Sequence, residues 1–139
     1  MGQQQLLLIV LGVIIVGIAV VVGINVFTAS SLQANNNAVI ADLQTIGSMA
    51  QQWYRKPVAM GGGGNSFGVA NGATAAWSVP LSLSQTANMS NAVVVGGGGD
   101  QDITLTATGT EENDGGSLIV VVMNVTPTEV IVASTTVNN

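Results

Sequence analysis

The pattern of apolar and polar positions divides the chain into regions of different character. Residues 6–24 form a run of nineteen without a charged or strongly polar side chain. Fifteen of them are Leu, Ile or Val, and only Gly12, Gly17, Ala19 and Gly23 interrupt. A segment that is apolar on every side has no face to offer water, so it predicts a helix placed in lipid or among other helices. At a rise of ~1.5 Å per residue it covers roughly 28 Å, close to the ~30 Å hydrocarbon core of a bilayer.

From Leu32 the pattern changes. Leu32, Val39, Leu43, Ile46, Ala50 and Trp53 recur at intervals of seven, four and three, while Gln33, Asn36, Asp42, Gln44, Gln51 and Gln52 fall largely off that stripe. This is the mark of a helix with one buried face. No proline precedes Pro57, and glycines 61–64 follow it, so the helix is predicted to run from about 3 to 54 and to stop by Lys56. Such a helix is roughly 78 Å long. Its weakest point is Asn35-Asn36-Asn37, because the asparagine side chain competes for backbone hydrogen bonds. Without a proline there, the helix is expected to continue through. Gly12, Gly17 and Gly23 mark either close approach between packed helices or local melting.

Beyond the glycines the period shortens to two. Strands are predicted at 91–95, 102–108, 117–125 and 129–137, all rich in Val, Ile and Thr. They are separated by glycines 96–99, by residues 111–116 and by the Thr126-Pro127-Thr128 turn. The segment Val79-Pro80-Leu81-Ser82-Leu83 is compatible with an edge strand, where proline is tolerated. Ile103, Leu105 and Ala107 alternate with Thr104, Thr106 and Thr108, which predicts one face on the helix and one facing solvent or a neighbouring subunit. Residues 118–123 are apolar throughout, the pattern of a strand covered on both sides, by the chain itself or by another subunit. The expectation is an α+β chain, a long N-terminal α-helix with a small C-terminal antiparallel β-sheet head. The helix spans 1–56, in an apolar half (1–27) and an amphipathic half (28–56) packed on the head, and the head spans 57–139.

Composition sharpens this picture. Hydrophobic residues make up 47% of the chain and charged residues 6%, so much of the surface must meet lipid or protein. The net charge is −5, and Arg55 and Lys56 are the only cations, so no electropositive track for nucleic acid is expected. Without Cys or His the usual zinc, haem and nucleophile–base sites lose their ligands. Neither an enzyme nor a cofactor is expected. A cleaved secretory signal fits poorly, since Met1-Gly2-Gln3-Gln4-Gln5 has no basic residue and the apolar run is too long.

An apolar stretch at the N-terminus, continued by an amphipathic helix ending near residue 53 and by a β-rich head, resembles a type IV pilin. The resemblance implies a homo-oligomer, a helical polymer whose apolar halves lie in the cytoplasmic membrane before assembly and bundle into an extracellular filament afterwards. It also implies an assembly platform and an ATPase as partners, and a role in adhesion, surface attachment or motility. On this reading the assembly interface contains Gln5, Leu7, Leu8, Leu11, Gly12, Ile15, Gly17, Val20 and Gly23. A pseudopilin of a secretion or DNA-uptake system, and a single-pass anchored binding domain, are the alternatives.

The chain departs from the family in several ways. Gly2-Gln3 resembles a cleavage junction, but a leader of two residues without Lys or Arg would be abnormal for the family. The Glu at the fifth mature position is lacking, and if Met1 begins the mature chain that place falls to Gln5. An amide is cheaper to bury than an unpaired carboxylate, and its carbonyl is able to accept a hydrogen bond from a neighbour's amine. Gln3, Gln4 and Gln5 sitting at a polar membrane interface is the competing reading. Pseudopilins of type II secretion systems often bind calcium in a comparable head loop, which raises two acidic clusters as oxygen ligands, Asp100 with Asp102 and Glu111 with Glu112 and Asp114. They are expected at the two ends of one strand, roughly 20 Å apart, so that one cluster at most holds a cation, against the plainer reading of solvated loop acids. Asn88-Met89-Ser90 and Asn124-Val125-Thr126 match the N-glycosylation sequon.

Overall fold

The computed structural model describes residues 2–69, 72–73, 75–99, 101–113 and 115–137. One helix, α1 (Gly2–Arg55), leads into a single 3-10 turn (Val58–Met60) and then four strands: β1 (Met89–Gly99), β2 (Asp102–Glu112), β3 (Leu118–Val125) and β4 (Val130–Val137). The strands pair in sequence order, each antiparallel to the next. The fold is α+β, a long helix carrying a four-stranded meander. Its apolar run makes α1 long and apolar enough to cross a membrane.

The helix passes through Asn35-Asn36-Asn37 without a break, and what holds it there is tertiary contact. Asn35 is 7% exposed, and its side-chain nitrogen donates to the backbone carbonyl of Asn88 at 3.0 Å. The helix interior satisfies the backbone, and the carbonyl of Asn88, just ahead of β1, occupies this side chain, so its poor propensity is overridden. The helix ends as the glycines suggest, but these form a built cap rather than a flexible connection. Gly63 N–H donates to the Trp53 carbonyl (2.9 Å), Gly64 N–H to Lys56 (3.0 Å) and Asn65 N–H to Tyr54 (2.8 Å), satisfying carbonyls that the last turn leaves free. Gly61 takes a left-handed φ of 77°, which glycine adopts without steric cost.

The core lies between the second half of α1 and one face of the sheet. Val39, Leu43, Ile46 and Ala50 meet Ile103, Leu105 and Ala107 from β2 and Ile119, Val121, Met123 and Val125 from β3, all buried, with Phe67 and Trp77 closing the upper end. β2 alternates as the Ile/Thr pattern predicts: Ile103, Leu105 and Ala107 are buried and the threonines between them half-buried. In β3 only every second residue is buried, and Leu118, Val120 and Val122 on the other face remain half-exposed. The expectation of a strand covered on both sides is therefore corrected for the single chain, because among the described residues no second layer lies over the outer face.

Two boundaries also differ. Residues 79–83 are not a strand: Pro80 opens a turn, its carbonyl accepting from the N–H groups of Leu83 (2.8 Å) and Ser84 (3.1 Å). Glycines 96–99 do not end β1 but continue it, and residues 109–112 extend β2. Pairing with the neighbouring strand outweighs the low strand preference of glycine.

Candidate assembly surface

The residues proposed for assembly all lie on the first half of α1, and no other described residue of the chain covers them. Leu7, Leu8, Leu11, Ile15 and Val20 are between 53% and 69% exposed. Gln5, Gly12, Gly17 and Gly23 are exposed as well, and a Cβ added at any of the three glycines would meet nothing within 4 Å. The exposure is uniform around the helix, as the all-round apolar sequence requires. At 100° per residue, Gly12 and Gly23 fall within about 20° of one another, with Gln5 and Ala19 on the same side, whereas Gly17 points about 140° away. The helix thus offers narrow points on two faces, not one.

The energetic consequence is large. At about 1.5–3 kcal/mol per side chain removed from water, the fifteen Leu, Ile and Val residues of 6–24 represent roughly 20–45 kcal/mol. That exceeds the ~5–15 kcal/mol stability of a typical domain. Lipid or protein must cover this segment, and the head is too far along the helix to do so.

The second half of α1 is seated by both packing and polar contacts. Val39, Leu43, Ile46 and Ala50 are at most 1% exposed, while Leu32 and Trp53 pack at the margins of the core. Tyr54, Asn35 and Gly47 complete the buried face, and the stripe did not mark them because a Tyr, an Asn and a Gly carry little hydropathy signal. Asp42 accepts from Thr86 Oγ1 at 2.7 Å and from the side-chain nitrogen of Asn88 at 3.3 Å. Gln51 donates to the Thr126 carbonyl at 2.8 Å and Tyr54 donates its hydroxyl to Gln101 at 2.7 Å. At the lower end a Cβ on Gly109 would collide with the Asn35 side-chain oxygen. The missing side chain at Gly109 leaves room for the Asn35 amide between helix and sheet.

The described acidic candidates lie at the two ends of one strand, as expected. Asp102 begins β2 and Glu111 and Glu112 end it, so about 30 Å of extended strand separates them. Glu111 accepts from Ser31 Oγ at 3.2 Å. Asp100 and Asp114 lie outside the described residues, and among the described residues no group of three carboxylates converges. Of the two sequon asparagines, Asn88 is engaged by Asp42, and Asn124 sits within β3 with its side-chain oxygen buried and without a partner.

No family model, curated protein or solved structure matches this chain. A long apolar N-terminal helix joined to a small antiparallel sheet is nonetheless an arrangement compatible with a pilin-like fold.

Proposed function

We propose that this chain is the structural subunit of an extracellular filament of the type IV pilus kind, built by bundling the apolar halves of α1 with the heads outside. One observation carries the reading: a single unbroken helix is apolar and exposed on all sides over its first half and clamped to the head over its second. A helix that needed only to anchor a domain in lipid gains nothing from rigid continuity into the head. A filament does, because the helix then fixes each head relative to the central bundle. Before assembly the apolar half, at about 28 Å, matches a bilayer core, so the chain waits in the membrane with an assembly platform and an ATPase as partners. The heads serve adhesion, surface attachment or motility.

Electron microscopy of sheared surface material, probed with an antibody to the head, tests this. Thin filaments carrying the label are the expected result, and recovery solely in membrane fractions sinks the proposal in favour of a single-pass anchor. A Gly17→Leu chain is expected to insert in membranes normally and to lose filament yield several-fold, since added bulk obstructs a close helix contact. Equal loss of insertion and assembly argues against that packing role.

A further inference from the structure

The outer strands of the sheet carry register irregularities, at residues 89–91 and 95–99 of β1 and 132–134 of β4, but lack the two strongest chemical protections of exposed edges. Neither β1 nor β4 contains a charged residue or a proline, the devices with which monomeric proteins keep free edges from pairing with other chains. β4 is exposed over all but its first residue. Ile131, on the outer face, is 48% exposed. Val132 and Val137 stand opposite the buried Met123 and Ile119 and so face the helix side, yet they remain 37% and 46% exposed. α1 lies over β2 and β3 and leaves β4 overhanging.

β1 is open in its upper part only. Lower down, its edge is taken by the preceding loop, since Ala92 N–H donates to the Ser84 carbonyl at 2.8 Å and Thr86 N–H to the Met89 carbonyl at 3.0 Å. At Val93 and Val94 no described residue occupies the edge, and Val93 is 41% exposed. Val94 is half-buried against the core, and beyond Val95 the glycines shift the register against β2, so the regular open edge is centred on Val93 and Val94.

Strand polarity selects the partner. In a four-stranded antiparallel meander the two free edges run in opposite directions. Two copies with parallel α1 helices and sheets facing the same way therefore set β4 of one against β1 of the next in antiparallel orientation. Antiparallel pairing of β4 with a second β4 would point the two helices in opposite directions, and parallel pairing would put the second helix on the wrong face of the sheet.

We infer that β4 of one copy adds to the open upper part of β1 in the next, joining the heads into a sheet that winds around the helix bundle. This rests on the filament reading above. A contact between unlike surfaces propagates instead of closing in pairs, and backbone hydrogen bonds supply its affinity, as in other strand additions.

The chain has no cysteine, so introduced thiols report without background. Filaments of the full chain carrying both Val93→Cys and Ser134→Cys are treated with a short bis-maleimide and dissolved in detergent. A ladder of covalent dimers, trimers and longer species is expected. Each single variant alone should stay monomeric, and filaments copolymerised from the two single variants should give dimers and nothing longer. Filaments whose doubly substituted chains stay monomeric overturn the edge contact and leave the filament reading standing, as does a single variant that cross-links to itself. Failure of the unsubstituted chain to form filaments sinks both. If the substitutions themselves prevent assembly, hydrogen exchange on the unsubstituted chain decides: β4 amides should exchange at least a hundred-fold more slowly in filaments than in detergent-dispersed chains, and equal rates overturn the contact.

Discussion

The two halves of α1 share one backbone and one axis, and they differ in what the chain provides to cover them. Over 31–55 the apolar residues form a stripe, and one sheet meets it. Over the first half they surround the helix, and no described residue of the chain covers them. A stripe specifies a single neighbour, whereas an all-round apolar surface calls for several neighbours or for lipid. The same helix thereby folds a domain at one end and leaves a large unsatisfied surface at the other.

The comparison breaks most visibly at matched leucines. Leu43 is fully buried, and Leu43→Ala is expected to destabilise the head by about 2–5 kcal/mol, through lost transfer energy plus a cavity. That is a large share of the ~5–10 kcal/mol a domain this small commands. Leu11 is 53% exposed, so Leu11→Ala should leave the head's denaturation midpoint in detergent unchanged within error while lowering filament yield. Equal effects of the two on the midpoint would mean that the halves are not energetically separate. A smaller effect is expected at Asp42. Asp42→Ala removes the acceptor for both Thr86 and Asn88 and should cost about 1–3 kcal/mol. Urea denaturation of the same detergent-dispersed chain measures it, and no loss would show that the head loop seats on α1 by apolar contact alone.

What the sequence made legible follows the same division. The stripe Val39, Leu43, Ile46 and Ala50 could be read because burial on one face imposes a period on residue type. The Ile/Thr alternation of β2 could be read for the same reason. Residues 118–123 misled because every residue is apolar while half the strand faces outward. Such a segment carries no period to say which face is covered. The Pro80 turn and the glycine continuation of β1 were hidden too, since strand pairing depends on the neighbour and not on the segment. Asn35 was legible only as a weak helix former, and its contact with Asn88 joins residues far apart in sequence. In the apolar half the residue types carry no period, because the groups that distinguish one face from another lie in other molecules.

The smallest expected effect is the one that best separates the halves, because its sign reverses between chain and assembly. Gly12 costs the isolated helix about 0.5–1 kcal/mol relative to alanine, and a Cβ there touches nothing in the chain. Gly12→Ala should therefore leave the helicity of the detergent-dispersed chain equal or slightly higher, as measured by circular dichroism. If the face shared by Gln5, Gly12, Ala19 and Gly23 packs closely against a neighbour, the same methyl group is overpacking, and the critical concentration for filament formation rises by up to several-fold. A fall in the critical concentration would mean that the glycine is a point of local melting rather than of contact. Ala19 already places a methyl group on this side of the helix, seven residues along, so the penalty should be confined to the Gly12 level and should not recur for Ala19→Gly.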